Sequence, residues 1–94
     1  MAITSHISNL ISLHFDSTQK KPYTQTMFPV VLTAKGRKNV LLFEVTYGYE
    51  GKKNECVKLK GGESLKIDKH QFYSVKNLKD KESILVIETG IAIN

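Results

Sequence analysis

Residues able to do chemistry are few in this chain, and they are scattered. The imidazoles are His6, His14 and His70, and Cys56 is the one thiol. His6 and His14 are eight residues apart. On an extended strand they would share a face but stand roughly 26 Å from each other. A single cysteine makes neither a disulfide nor half of a zinc site. Cys56 also falls out of phase with Val57 and Leu59, with no assignable base to activate it. Asp16, Asp68 and Asp80 sit in turn-like contexts, where aspartate commonly bonds its own backbone. No nucleophile elbow, phosphate-binding loop or dinucleotide fingerprint is present. No catalytic residue, metal or cofactor is therefore expected.

Two groupings remain. Tyr47, His70 and Tyr73 are candidate ligand-binding residues. Lys52, Lys53, Lys58, Lys60, Lys66 and Lys69 form a candidate basic surface, interleaved with Tyr47, Tyr49, Phe72 and Tyr73. Basic side chains beside stacking rings are what a single-strand nucleic-acid groove uses. The competing reading places Phe43, Tyr47 and Phe72 in the core, since a chain without tryptophan needs its rings there. Lysines would then guard strand edges against pairing.

The segment Gly62–Asn77, GESLKIDKHQFYSVKN, reads as strand, tight turn, strand. Its spacing resembles the second conserved motif of the cupin family: a glycine, five residues, a Pro-x-Gly-type turn, a histidine and an asparagine. Gly62 and Asn77 stand where that pattern has its glycine and asparagine, and Tyr73 stands at the metal-ligating histidine. The resemblance implies a cupin-like β scaffold. The His-x-His pair that the family carries on an earlier strand has no counterpart in Phe43–Tyr49; its nearest echo is Tyr47-Gly48-Tyr49. A phenol with an unperturbed pKa of about 10 is a poor ligand at neutral pH. The resemblance thus implies the sheet without the metal.

The elements that would position these residues are short and β-like. Val40–Tyr47 is the strongest strand, with Leu41, Phe43, Val45 and Tyr47 on one face. Glu55–Lys60 alternates, with Val57 and Leu59 inward. Gly61-Gly62 reverses the chain, and Leu65 and Ile67 then face in. Asp68-Lys69-His70 turns into Gln71–Val75, and Ile84–Thr89 is the last long strand, followed by the apolar tail Ile91–Ile93. Residues 1–26 differ. Ile7, Ile11, Leu13 and Phe15 alternate as a strand would, while Ile3, Ile7, Leu10 and Ile11 also fit a helical stripe; the β-branched content favours strand. Asp16–Thr26, polar and containing Pro22, reads as a loop or arm.

The expected fold is all-β: a small antiparallel sandwich, jelly roll or barrel of six or seven strands with an extended N-terminal arm. Residues 1–26 form the strand and arm, and residues 27–94 the compact domain. At 94 residues there is one domain at most. Such a domain buries only roughly 60–65% of its unfolded surface, so packing or self-association must help. No apolar run nears the roughly 20 residues that cross a bilayer. The N-terminus lacks the basic head and apolar run of a signal peptide. Cytoplasmic synthesis of a soluble protein is expected, with no membrane.

The net charge of +5 is carried by thirteen lysines and one arginine, Arg37. Arginine is the better residue for bidentate phosphate and base recognition, so nucleic acid is not the favoured partner. These observations point to a non-enzymatic structural or interaction protein. A small virion-associated cement or adaptor protein is one such type, incorporated into a virion. Its arm, its edge strands and the Ile91–Ile93 tail would pair across subunits in a homo-oligomer or larger assembly; ten arm residues reach roughly 33 Å. The alternatives are a metal-free cupin-like small-molecule binder, with Tyr47, Tyr73 and His70 at a barrel mouth, and a nonspecific single-strand nucleic-acid binder built as an oligonucleotide-binding barrel.

Overall fold

The structure, a computed structural model, describes residues 5–16 and 20–93. Ile3 and part of the Asp16–Thr26 segment lie outside the described residues. Eight strands are present: β1 (Ser5–Phe15), β2 (Lys20–Gln25), β3 (Val30–Lys35), β4 (Leu41–Gly48), β5 (Glu55–Lys60), β6 (Ser64–Ile67), β7 (Phe72–Asn77) and β8 (Ser83–Ile93). They form two four-stranded sheets, ordered β1-β8-β3-β6 and β2-β7-β4-β5. Every pairing is antiparallel. This is the expected antiparallel sandwich.

Strand alternation builds the core. Leu32 and Ala34 on β3, Ile67 on β6 and Leu85 on β8 face Phe43 and Val45 on β4 and Val75 on β7, all fully buried. Phe15 closes one end, meeting Phe43 edge to face with centroids 5.3 Å apart. Among the described residues four turns use positive φ: Asn39, Gly51, Gly62 and His70.

Three readings are corrected. Leu41 is exposed and Leu42 is buried, because a register shift between Leu41 and Phe43 inverts the alternation there. Lys20–Gln25 is not loop but edge strand β2, hydrogen-bonded to β7. An edge strand needs partners on one side only, so a polar sequence suffices; Pro22, which has no N–H, falls inside the register shift between Lys21 and Thr24. The tail Ile91–Ile93 is the end of β8, and it pairs with Ser5–Ile7 of the same chain.

That last pairing has a geometric result. β3 runs beside β8 only as far as the Val30–Thr89 pair. Beyond it, Ser5–Ser8 and Gly90–Ile93 continue as a two-stranded ribbon. The radius of gyration is 14.3 Å and the extents are 51 × 33 × 20 Å. A compact chain of this length would have about 12 Å. The molecule is elongated, as an overhanging ribbon requires.

Candidate functional site

At one end of the sandwich a row of four residues crosses the inner face of the second sheet. Tyr47 on β4 is the direct cross-strand partner of Tyr73 on β7 and of Glu55 on β5. Tyr73 in turn faces Thr24 on β2. Paired positions in antiparallel strands point to one side, so Glu55, Tyr47, Tyr73 and Thr24 lie in line. The next row inward, Val57, Val45 and Val75, is core. The four-residue row therefore rims the mouth of the sandwich.

Within it, the Tyr47 hydroxyl donates to Glu55 Oε2 at 2.9 Å. That bond raises the Tyr47 pKa above the usual phenol value; burial and the charges of Glu55 and Asp68 add to it. Tyr73 is only 5% exposed, and its burial raises its pKa too. Lys21 Nζ sits 5.3 Å from the Tyr73 ring centroid and donates to Thr24 Oγ1 at 3.0 Å. Both phenols are neutral hydrogen-bonding groups at physiological pH. The row thus holds two phenols, one hydroxyl and one carboxylate, Glu55.

His70 lies at the same end but in the β6–β7 turn, with its side chain exposed. Its backbone holds the turn: the His70 N–H donates to Thr26 O at 2.8 Å, and its carbonyl accepts from Gln25 Nε2 at 3.3 Å. The structure thus brings Tyr47 and Tyr73 into contact range and keeps His70 on the rim. Beside them, Tyr23, Tyr49 and Phe72 line an open cleft of about 360 Å³.

The six candidate lysines are all exposed but are spread out. Lys52 and Lys53 lie in the β4–β5 loop and Lys69 in the β6–β7 turn. Lys58 faces outward from one sheet, opposite Glu44. Lys66 faces outward from the other, opposite Val31. Lys60 ends β5 at the far end from Tyr47. Tyr73 is buried, so its face is closed to a stacking base.

Glu55 and Lys21 are the site residues that sequence reasoning missed. Glu55 was legible in principle: it and Tyr47 flank one hairpin loop, and hairpin register makes them partners. Lys21 was hidden in a segment without periodicity.

Cupin scaffolds imply a metal, and these residues do not fit one. At the position of the motif histidine stands the buried, neutral Tyr73. Among the described residues no group of three His, Cys, Asp or Glu side chains is placed to hold a metal ion.

No protein-family model matches the chain, and no curated protein does either. Solved structures do. The chain is similar to the Drosophila melanogaster CENP-C cupin domain at 28% identity and a TM-score of 0.74, over 83% of this chain and 57% of that one. It is also similar to Drosophila melanogaster CENP-C bound to CAL1, at 28% identity and a TM-score of 0.73, over 83% and 62%. A cupin domain from Bordetella pertussis matches at 12% identity and a TM-score of 0.65, over 89% and 81%. The chain thus spans about three fifths of the length of the CENP-C structures it matches. The Gly62–Asn77 hairpin and these likenesses agree: the chain has the cupin fold, with Tyr73 at the motif position of the metal-ligating histidine.

Proposed function

We propose that this chain is a non-enzymatic protein-interaction domain that self-associates through the β1–β8 ribbon. The observation that carries this reading is the overhang of Ser5–Ser8 and Gly90–Ile93 past the end of β3. An isolated two-stranded ribbon is marginal in water, so a covering partner stabilises it. β1 is also an edge, eleven residues long, and presents an unpaired row of backbone donors and acceptors. An antiparallel edge is self-complementary across a two-fold axis, which makes a second copy the fitting partner. Leu10 is 67% exposed and Ile11 52%, which puts apolar surface at the same strand. The CENP-C likeness supports the interaction reading, since that protein's structure was solved bound to CAL1.

Light scattering tests it. The expected solution mass is twice the 10.6 kDa of one chain. Leu10→Asp, a change at an exposed position, should shift the mass toward the monomer while the β circular-dichroism spectrum is kept, with the melting temperature falling only as far as loss of the partner dictates. A wild-type monomer at high micromolar concentration would overturn self-association.

A second reading is favoured by the Glu55–Tyr47–Tyr73 row: a metal-free site for a small neutral ligand at the mouth, with His70 on its rim. Tyr47 is half-buried, so its hydroxyl can exchange Glu55 for a ligand acceptor or donor. A bound metabolite recovered by mass spectrometry from native protein, and lost from Tyr47→Phe, would support it.

A further inference from the structure

At the end of the sandwich away from Tyr47 and Tyr73, a cleft of about 530 Å³ opens between the β3–β4 turn and the β7–β8 turn. Lys35 and Arg37 stand on one wall, and Lys79 and Lys81 on the other. Glu82 is the one acid in the lining, and its Oε1 lies 3.1 Å from His14 Nδ1. The half-buried Val40 and Ile84 and the buried Leu42 form an apolar floor.

Both walls are held in place. On the first, Gly61 packs so closely that a Cβ there would meet the Arg37 carbonyl oxygen at 2.0 Å. Gly61 N–H donates to Val40 O at 3.0 Å and Gly62 N–H to Ala34 O at 2.8 Å, which ties the β3–β4 turn to the β5–β6 turn. On the second, the fully buried Asn77 organises the turn. Its Nδ2 donates to the carbonyls of Lys81 at 3.0 Å and Asp16 at 2.8 Å, with Phe15 O at 3.3 Å, and its Oδ1 accepts from Lys79 N–H at 3.0 Å. The glycine and asparagine ends of the Gly62–Asn77 hairpin thus lie behind the two cationic walls. The cleft is preorganised, which reduces the ordering cost of binding.

We propose that this cleft binds an acidic segment of a partner protein, with an aliphatic side chain of that segment on the Val40–Leu42–Ile84 floor. The inference rests on the protein-interaction reading of the domain. Four cations facing one paired carboxylate select an anionic partner. An apolar floor selects a peptide over a polyphosphate chain. The lining holds no aromatic ring on which a base could stack. Three of the four cations are lysines, which act as point charges and supply no bidentate fork for phosphate.

The test is fluorescence anisotropy on the full chain. The probe is a labelled twelve-residue peptide of aspartate and glutamate with a central leucine. Controls are the same peptide with amide side chains and a twelve-nucleotide oligothymidylate. The acidic peptide should bind about tenfold tighter than the amide peptide, and tighter than the oligonucleotide, with affinity falling as salt rises. Arg37→Glu with Lys81→Glu should weaken it about tenfold or more. Lys20→Glu with Lys76→Glu makes the same charge change on exposed residues outside the cleft and should leave affinity within about twofold. Equal loss in both double variants, equal binding of the amide peptide, or tighter binding of the oligonucleotide would overturn the proposal. Light scattering on the same samples separates the two readings. A dimer that ignores the acidic peptide overturns the cleft alone; a monomer that binds it overturns self-association alone.

Discussion

Asn77 and Lys81 are joined through the Lys81 carbonyl, which accepts from the fully buried Asn77 side chain at 3.0 Å. Asn77 lies at the end of β7, where chain termini of three segments meet: the end of β1, the end of β7 and the turn into β8. A primary amide is suited to this place because it offers two donors and an acceptor without a charge.

Asn77→Ala leaves the buried Phe15 carbonyl and the part-buried Asp16 and Lys81 carbonyls and Lys79 N–H without this partner. Urea unfolding should show a loss of about 1–3 kcal/mol. Asn77→Asp should be worse at pH 7: it keeps the acceptor for Lys79 but has no donor, and it aims a buried negative charge at carbonyl oxygens. Equal stability of the two variants would contradict this account.

Gly61 and Gly62 are adjacent but are constrained differently. A Cβ on Gly61 meets the backbone of Arg37 and Gly36, at 2.0 Å and 2.6 Å from their oxygens. A Cβ on Gly62 meets nothing within 4 Å, and the only strain is its φ of +85°. Gly62→Ala should cost about 1–2 kcal/mol. Gly61→Ala must displace a turn and should cost about 3 kcal/mol. Thermal melts of the two variants check the order; the reverse order would refute it.

Alkaline pH should unfold the domain earlier than a solvent-exposed phenol would dictate. Tyr47 and Tyr73 both have pKa values raised above 10 in the folded state. Above pH 10 the unfolded chain loses these protons while the folded chain keeps them, so stability falls as pH rises. The contribution is fully present below pH 10 and lost on passing through the folded values. Tyr73→Phe should flatten the decline of melting temperature between pH 9.5 and 11, since it removes one of the two groups.

Sequence periodicity made the sheet legible wherever strands have one wet and one dry face. Val57, Leu59, Leu65 and Ile67 point inward as their alternation says. It failed at Leu41, where one extra residue inverts the phase, and at β2, whose polar sequence carries no apolar alternation to mark its backbone pairing with β7. The Gly62–Asn77 spacing located the hairpin and the Tyr73 position. It gave no hint that Tyr47 bonds Glu55, because that contact depends on cross-strand register. The basic cleft was equally hidden. Lys35 and Arg37 lie about forty residues before Lys79 and Lys81, and the pairing of β3 with β8 and of β4 with β7 brings the two connections together.

The pairing of β1 with β8 also sets a timetable for the nascent chain. Phe15 meets Ser83, and Ser5 meets Ile93, so the first strand waits for the last to be synthesised. At about 5–20 residues per second that interval is roughly 3–14 s for Phe15 and Ser83 and roughly 4–18 s for Ser5 and Ile93. During it, Leu13 and Phe15 have no native sheet to cover them, and contacts of such long sequence separation form slowly once available. The ribosome-bound chain therefore presents an apolar, unpaired strand for seconds, long enough for chaperones or neighbouring nascent copies to reach it before its own C-terminal strand does.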